Sequence, residues 1–380
     1  MANKLKTHGK KVKCREGYWA YVPNPLPPPM EWNERLARHL SDADRSIGQL
    51  ATIGLTLPNP HLLIRPFVRR EAVFSSRIEG TQTSLAELFA DEAGAQTDQD
   101  RFDLKEVDNY VKALEYGIKR LKTLPLSLRL MCEIHEHLMK GVRGNIATPG
   151  EFRRSQNWIG VGGCTLQNAS YVPPPPHMLM ECLGELEKFI HASTLPPLVA
   201  IGLIHQQFEA IHPFLDGNGR VGRLLIILYL VERNILPSPI LYLSAFFEAK
   251  RDEYYARLQA VTDHGDWEGW IEYFLNGVAR QAEDALSRIQ RMQAMVTKWK
   301  QIFIKKTDKN CLFLIDDCML NPFMTVNSAA KKHKFSFPTA QRAIDKLENA
   351  GVLKQTDDAK RNRIYCARKI LDILDEPAKI

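Results

Sequence analysis

Residues 212–223 carry the densest set of chemically capable side chains in this chain. In order they are His212, Pro213, Phe214, Leu215, Asp216, Gly217, Asn218, Gly219, Arg220, Val221, Gly222 and Arg223. A histidine can accept a proton near neutral pH, and a carboxylate is a hard oxygen ligand for Mg²⁺. Glycines leave backbone N–H groups open, and arginines neutralise phosphate oxygens. These residue types suit the binding of a nucleoside triphosphate and its attack by a hydroxyl group.

The segment upstream should position the histidine. The sequence predicts a helix over Pro197–Ile211, because proline suits the first helical turn and apolar residues recur at helical spacing. Pro213 disfavours helical backbone at His212, so we expect the helix to end there.

A second, strongly apolar helix is predicted over residues 221–233, directly after the glycines. The N–H groups at the start of such a helix have no intrahelical partner, and the helix dipole favours an anion there. Arg220 and Arg223 lie three positions apart, so both can lean over this helix start. Isolated glycines before a helix usually mark only a turn, and the interpretation rests on the whole set of residues.

The segment resembles the Fic family motif, His-x-Phe-x-Asp/Glu-Gly-Asn-Gly-Arg-x-x-Arg, at every defined position. Fic proteins are mostly protein adenylyltransferases, which move AMP from ATP to a Ser, Thr or Tyr hydroxyl of a target protein and release pyrophosphate. The resemblance implies that His212 is the general base and that Asp216 binds Mg²⁺. It also implies phosphate binding by Gly217, Asn218, Gly219, Arg220 and Arg223.

A second stretch resembles the family's inhibitory motif, Ser/Thr-x-x-x-Glu-Gly/Asn, through Ser75, Glu79 and Gly80. Residues four apart share one face of a helix, and we expect that helix to cover about residues 66–80. Because this motif precedes the catalytic one, the chain resembles the class of Fic proteins with an N-terminal inhibitory helix. In that class the glutamate pairs with the second arginine of the catalytic motif, here Arg223, and blocks placement of the γ-phosphate. Without the motif, Glu79 would be interpreted as a solvated carboxylate at a helix end.

Residues 153–160 resemble the strand of the family's β-hairpin flap, which pairs edge to edge with the target backbone. Trp158, Ile159 and Gly160 would then line the nucleotide. A plain loop is the alternative interpretation of this stretch.

Tyr254 and Tyr255 resemble a pair of aromatic residues that packs against the adenosine. Thr262 stands where some relatives have an asparagine, which puts the adenine contacts at this position in doubt. Two adjacent tyrosines are also common in a hydrophobic core.

The last part of the chain resembles a winged helix-turn-helix. Helices are predicted over residues 310–319, 325–333 and 337–350, followed by strands at 352–355 and 363–366. The exposed candidates on the third helix are Ser336, Thr339, Gln341, Arg342 and Lys346. Cations on the wing are Lys360, Arg361 and Arg363. This module enters the major groove of DNA in some proteins and docks proteins in others, and both alternatives stay open.

The fold class predicted from these patterns is mainly α: a Fic-type helical bundle with a β-hairpin flap and a C-terminal winged helix-turn-helix. The predicted domains are residues 1–110 with the inhibitory helix, a catalytic core over 111–283, a connecting helix over 284–306, and the winged helix over 307–380.

Composition places this chain of 380 residues among ordinary globular proteins, with 44% hydrophobic residues and a net charge of +7. The longest apolar run, residues 224–231, is too short to span a bilayer. Seven cysteines without a Cys-x-x-Cys pair indicate reduced thiols and a cytoplasmic location. No apolar run follows the basic N-terminal residues, so no secretory signal is predicted.

The favoured hypothesis is an ATP- and Mg²⁺-dependent protein adenylyltransferase, inhibited by Glu79, that modifies a target protein and itself. One alternative is a DNA-binding regulator, acting through residues 307–380, whose nucleotide site is a sensor. Another is a Fic enzyme that transfers a different group or removes AMP. Formation of a homodimer is also left open by the sequence.

Overall fold

The structure is a computed structural model that describes residues 8–56, 60–94, 101–142, 148–160, 162–356 and 362–378. It is mainly helical, with two small antiparallel sheets. The helices are α1 (Glu34–Thr56), α2 (Pro60–Ile78), α3 (Leu85–Glu92), α4 (Arg101–Arg120), α5 (Leu128–Leu138), α6 (Pro176–Ala192), α7 (Pro197–Ile211), α8 (Asn218–Glu232), α9 (Ser244–Ala249), α10 (Arg251–His264), α11 (Trp267–Ile302), α12 (Lys309–Leu320), α13 (Val326–His333), α14 (Phe337–Asn349) and α15 (Arg368–Asp375). The strands are β1 (Gly9–Lys13), β2 (Trp19–Pro23), β3 (Phe323–Thr325), β4 (Lys354–Gln355) and β5 (Ile364–Cys366).

Helices α7 and α8 form the centre of the bundle. Both are apolar around nearly their whole circumference, which is typical of a helix that is covered on all sides. Helices α1, α6, α10 and α11 pack around α7, while α2 and α4 contact α8. The short connection between α7 and α8 therefore lies on a rigid support, and it is the segment that carries the motif.

The helix with the inhibitory motif begins earlier than the sequence predicts. The prediction of about residues 66–80 was wrong at its start, because α2 spans Pro60–Ile78 with Pro66 in its interior. A proline inside a helix removes one backbone hydrogen bond without always ending the helix. The added part of the helix buries Leu63, and Phe67 beside Pro66 is buried too, so packing against the core offsets the lost bond.

Two helices cross the predicted domain boundaries. Helix α4 runs through the boundary at residue 110, and α11 runs without a break through the boundary at residue 283. Asp266 caps α11 by accepting a hydrogen bond from the Gly269 N–H at 3.0 Å. The predicted connecting helix over 284–306 is thus the second half of a helix rooted in the bundle. The division into domains stays a prediction.

The C-terminal elements follow the predicted order, with two additions. Helices α12, α13 and α14 and strands β4 and β5 lie where the sequence predicts them, and Thr325 caps α13. Strand β3 and helix α15 were missed; β3 is short and adds an edge to the sheet order β3-β5-β4. The winged-helix interpretation stays a prediction.

These elements are packed against the bundle. The Arg70 guanidinium on α2 donates to the Leu374 carbonyl at 2.9 Å, and the Asn321 amide donates to the Phe89 carbonyl at 2.9 Å. Arg288 on α11 donates to the carbonyls of Glu376 and Pro377 at 3.0 Å each. The C-terminal elements therefore contact the helix that carries Glu79.

Most predicted DNA-contacting side chains on α14 already have intramolecular partners. Ser336 caps the helix together with Thr339, Gln341 bonds to Asp345 and to Arg363, and Lys346 pairs with Asp308. Arg342 is exposed. Lys360 and Arg361 lie outside the described residues. DNA binding stays a prediction.

A hairpin near the N-terminus was also missed. Strands β1 and β2 pair with Lys11 opposite Tyr21, and the Tyr21 N–H donates to the Val172 carbonyl at 2.8 Å. The hairpin thereby lies beside the flap. The sequence predicted a flap strand over residues 153–160. Among the described residues this stretch has a single antiparallel bridge, from Ile159 to Tyr171 in the returning part of the flap. None of the described helices is long and apolar enough to cross a membrane.

Candidate functional site

His212 lies at the C-terminal end of α7, as the sequence predicts. Its backbone is left-handed, with φ of 49°, so the side chain leaves the helix and turns toward a cavity. The Glu209 carbonyl lies 3.3 Å from Nδ1. Because a carbonyl only accepts, Nδ1 carries the proton and Nε2 has the free lone pair. Burial lowers the pKa of His212 to about 4, so the ring is neutral at physiological pH.

The loop after His212 is held by the side chain of Asn218. Its amide nitrogen donates to the Phe214 carbonyl at 2.8 Å, and its amide oxygen accepts from the Phe214 N–H at 2.8 Å. The side chain is buried, and it holds the loop. The phosphate binding that the resemblance implies for Asn218 stays a prediction. Gly217, with φ of 79°, precedes α8 as its N-cap in a backbone conformation that favours glycine.

His135 on α5 supports the same loop and was missed by the sequence analysis. Nε2 donates to the Asp216 carbonyl at 3.0 Å, while Nδ1 accepts from the Gly150 N–H at 3.0 Å. The ring stacks on Phe214, with centroids 3.8 Å apart. Burial lowers the pKa of His135 to about 4, which keeps this arrangement neutral.

The flap anchors the loop from the other side. Arg153 donates to the His212 carbonyl at 2.9 Å and to the Pro174 carbonyl at 2.6 Å. The Asn157 amide donates to the Phe214 carbonyl at 2.8 Å. Burial lowers the pKa of Arg153 to about 10, because the carbonyl groups that it contacts carry no negative charge to stabilise the guanidinium.

Asp216 and Arg220 form the outer and inner sides of the loop. The Asp216 carboxylate is 57% exposed and accepts from the Gly217 N–H at 2.6 Å. Arg220 is buried beneath it, 3.6 Å from Asp216 and 3.3 Å from Glu106 on α4. Mg²⁺ usually takes one or two carboxylates plus substrate phosphates, so an exposed Asp216 fits this ion. The described residues contain no cluster that would hold a metal without a substrate.

Arg223 is held by the inhibitory motif. Its Nε donates to the Ser75 hydroxyl at 2.8 Å, and its Nη2 donates to the Ser75 carbonyl at 2.9 Å and to Glu79 at 2.6 Å. Burial alone would raise the pKa of Glu79, but the Arg223 charge and hydrogen bond outweigh it and lower that pKa. Burial would lower the pKa of Arg223, and Glu79 reverses this effect.

The Glu79 carboxylate reaches the start of α8. A Cβ atom on Gly219 would lie 2.3 Å from Glu79 Oε1, so only glycine leaves room for this approach. Gly80, with φ of 103°, ends the helix that carries Glu79. Glu79 therefore occupies the place at the helix start that an anion would take.

These residues surround a cavity of about 610 Å³ between α7, α8, α10 and the flap. The predicted site residues that line it are Glu79, Ile159, His212, Gly219, Arg223, Tyr254 and Tyr255. Ser75 lies on α2 and Gly80 in the turn that follows it, while Asp216, Gly217, Asn218 and Arg220 lie in or next to the loop before α8.

Two known family descriptions match this chain. Residues 37–119 match the Fic/DOC family N-terminal, and residues 125–230 match the Fic/DOC family. The chain belongs to the Fic family. The second match contains the whole motif loop and α7, which places the Fic signature at the cavity described above.

Two curated relatives carry activity names. A probable protein adenylyltransferase of Aquifex aeolicus is 28% identical over 253 residues, which cover 62% of this chain and 72% of the relative. The protein adenylyltransferase Fic of Drosophila yakuba is 28% identical over 194 residues, which cover 48% of this chain and 35% of the fly protein. This chain thus matches about a third of the fly protein's length.

Solved structures share the fold. A Fic family protein from Desulfovibrio desulfuricans has a TM-score of 0.61 at 19% identity and covers 90% of this chain and 98% of its own. Fic-1 from C. elegans has a TM-score of 0.54 at 23% identity, and the match covers 68% of this chain and 74% of the C. elegans chain. At these identities the likeness concerns the Fic fold alone.

In this Fic protein one of the three flap residues named from the sequence lines the cavity. Ile159 lines it, but Trp158 and Gly160 do not. The Trp158 indole N–H donates to the Cys164 carbonyl at 3.3 Å, which turns the ring along the flap. Contact of these flap residues with a nucleotide stays a prediction.

The two tyrosines have different surroundings. Tyr254 is buried, its hydroxyl lies 2.8 Å from His205 Nε2, and its ring stacks on Phe247. Tyr255 is 41% exposed toward the cavity, with Arg251 5.7 Å from its ring centroid. Tyr255 is therefore the more exposed ring at the cavity, while Tyr254 forms the wall behind it. Packing of either ring against adenosine stays a prediction.

Two further polar residues of α7 line the cavity and were missed. Gln206 and Glu209 each have a buried side-chain oxygen without a hydrogen-bond partner among the described residues. Burial raises the pKa of Glu209 to about 8, against a smaller lowering by Arg223. Their spacing of three on α7, one turn before His212, was the only available sequence signal.

We predict that Glu209 makes stability depend on pH. Its folded-state pKa is raised, so its stabilising contribution is complete below about pH 4.5 and is lost as pH rises through about 8. Glu209→Gln keeps a neutral side chain of similar shape. We expect its melting temperature to exceed that of wild type by roughly 2–4 °C at alkaline pH, with the gap closing in acid. Thermal unfolding from about pH 5 to pH 9 measures this, with exposed Glu181→Gln as control. A gap that does not change with pH would contradict the prediction.

Proposed function

We propose that this protein is a protein adenylyltransferase that moves AMP from ATP to a Ser, Thr or Tyr hydroxyl of a target protein and is restrained by Glu79. The observation that carries the proposal is the position of Arg223. It reaches the start of α8, beside His212, and its guanidinium is engaged by Glu79. The names of the Aquifex and Drosophila relatives support the same activity.

ATP would bind with its triphosphate at the start of α8. The N–H groups of Asn218 and Gly219 lie in the first turn of α8, where the helix dipole favours anions. Gly217 precedes this turn, and its N–H donates to Asp216 at 2.6 Å. Arg223 would bind the terminal phosphates once Glu79 moves aside, and the base would pack against Tyr255. Arg220 would act from beneath, by holding the loop through Asp216.

The transfer step uses the free Nε2 of His212. The target hydroxyl gives its proton to Nε2 while its oxygen forms a bond to the α-phosphorus. The bond between that phosphorus and the β-phosphate oxygen breaks, and pyrophosphate leaves with the electron pair. Mg²⁺, when bound at Asp216, would offset the negative charge that builds on the pyrophosphate.

Glu79 would inhibit by competition. Its carboxylate uses the Arg223 donor and the space beside Gly219 that the γ-phosphate requires. ATP could still enter, but with its triphosphate displaced from the in-line arrangement. The buried Ser75 keeps Arg223 oriented in the inhibited state.

The proposal predicts that label from the α-phosphate of ATP, and not from the γ-phosphate, becomes protein-bound. The protein should be incubated with each labelled ATP and Mg²⁺, alone and with cell lysate, and followed by intact-mass analysis. A mass increase of one adenylyl group supports AMP transfer. Transfer of γ-label would indicate phosphorylation, and no transfer by wild type or by Glu79→Gly would contradict the proposal.

A further inference from the structure

A second groove, of about 280 Å³, opens beside the nucleotide cavity. It lies between the β1–β2 hairpin and the flap. Four residues line both the groove and the cavity: Ser170, Tyr171, Gln259 and Thr262. The two spaces therefore adjoin, and a chain lying in the groove would pass beside the site of transfer.

The hairpin presents an organised face to this groove. Lys11 is opposite Tyr21 and Lys13 is opposite Trp19, and alternate residues of a strand share a face. Lys11, Trp19 and Tyr21 line the groove. Trp19 is 58% exposed although it is a large apolar side chain. Exposed aromatic residues of this kind are the usual anchors of a protein interface.

The hairpin is fixed to the flap. The Tyr21 N–H donates to the Val172 carbonyl at 2.8 Å, and the Tyr18 hydroxyl donates to Gln156 at 3.1 Å. Tyr18, Ala20 and Val172 form a small buried cluster. The face toward the groove is thus held in register with the flap segment that anchors the His212 loop.

The charge of the hairpin favours an acidic occupant. Its exposed cations are Lys10, Lys11, Lys13 and Arg15, and Glu16 is the one carboxylate between residues 8 and 24. Asp263 also lines the groove. A partner chain with carboxylates opposite the hairpin cations would complement this arrangement, and rim charges of this type raise the rate of association.

We propose that this groove docks the target protein through an acidic segment that flanks the acceptor hydroxyl. The inference rests on the proposed function, because that function requires a protein chain to pass the flap. Lys11 and Lys13 pair with the carboxylates, and Trp19 packs against an apolar side chain between them. The hairpin thereby selects among the hydroxyls that the flap alone would accept.

The test measures binding of three fluorescent probes to full-length Glu79→Gly protein by anisotropy. They are a tyrosine-containing peptide rich in Asp and Glu, the same peptide with Lys in their place, and a single-stranded oligonucleotide. We expect the acidic peptide to bind at least about tenfold tighter than the basic one, and less tightly as salt rises. The Lys11→Glu/Lys13→Glu double variant and Trp19→Ala should each weaken its binding, while Lys298→Glu, on the exposed side of α11, should not.

Equal binding of the two peptides, or unchanged binding in both groove variants, would overturn the proposal. Tighter binding of the oligonucleotide would also overturn it and would assign the hairpin to nucleic acid. Self-labelling from α-labelled ATP, measured on the same samples, reports the proposed function separately. Loss of acidic-peptide binding with intact self-labelling places the failure in the groove alone.

Discussion

The variant Glu79→Gly is expected to transfer AMP faster than the wild-type protein, by roughly 5- to 150-fold, the range in which couplings between two sites usually fall. The substitution removes the 2.6 Å contact with Arg223 and clears the space beside Gly219. Arg223 then gains a free donor for the terminal phosphate. Initial rates of α-label incorporation, at equal protein and ATP concentrations, measure the effect.

Glu79→Gln is the matched control for this prediction. It keeps the length of the side chain and an oxygen that can accept from Arg223, but removes the charge. We expect a rate between those of wild type and Glu79→Gly, since a neutral amide competes less well with phosphate. If neither variant exceeds wild type, Glu79 does not restrain the enzyme.

In the Glu79→Gly background, His212→Ala is expected to lower AMP transfer by about 10²- to 10⁴-fold, the usual contribution of a general base. The variant keeps the loop, because the His212 backbone carbonyl still accepts from Arg153. ATP binding should therefore change little. Rates of label transfer, together with an ATP dissociation constant from calorimetry, separate the two effects.

His137→Ala serves as the control for the loss of an imidazole. His137 packs on Tyr116, with ring centroids 4.1 Å apart, outside the residues that line the cavity. Equal rates in the His212→Ala and parent proteins would exclude His212 as the base. Loss of ATP binding in parallel with the rate would assign it a structural role.

The local parts of the site could be predicted from the sequence. Pro197 and Pro213 mark both ends of α7, so its bounds and the break at His212 follow from backbone sterics. The pairing of Glu79 with Arg223 was implied only by the family resemblance, since 144 positions separate the two residues. A local sequence pattern cannot reveal a contact between residues so far apart in the chain.

The parts that failed depend on long-range packing. Arg153, His135 and Glu106 support the motif loop from three other elements, and none lies in a recognisable spacing. The Asn218 side chain bonds to the Phe214 backbone, while the phosphate binding that the resemblance implies for Asn218 stays a prediction. Pro66 was taken as a helix start, because sequence alone does not reveal the core contacts that offset its missing hydrogen bond.

The central claim is that Arg223 serves either Glu79 or the terminal phosphates of ATP. A crystal structure of Glu79→Gly with a non-hydrolysable ATP analogue and Mg²⁺ tests it most directly. We predict the triphosphate on the N–H groups that begin α8, with Arg223 on its γ-phosphate and His212 Nε2 facing the α-phosphorus. A triphosphate bound away from Arg223, or a histidine turned from the α-phosphorus, would contradict the account.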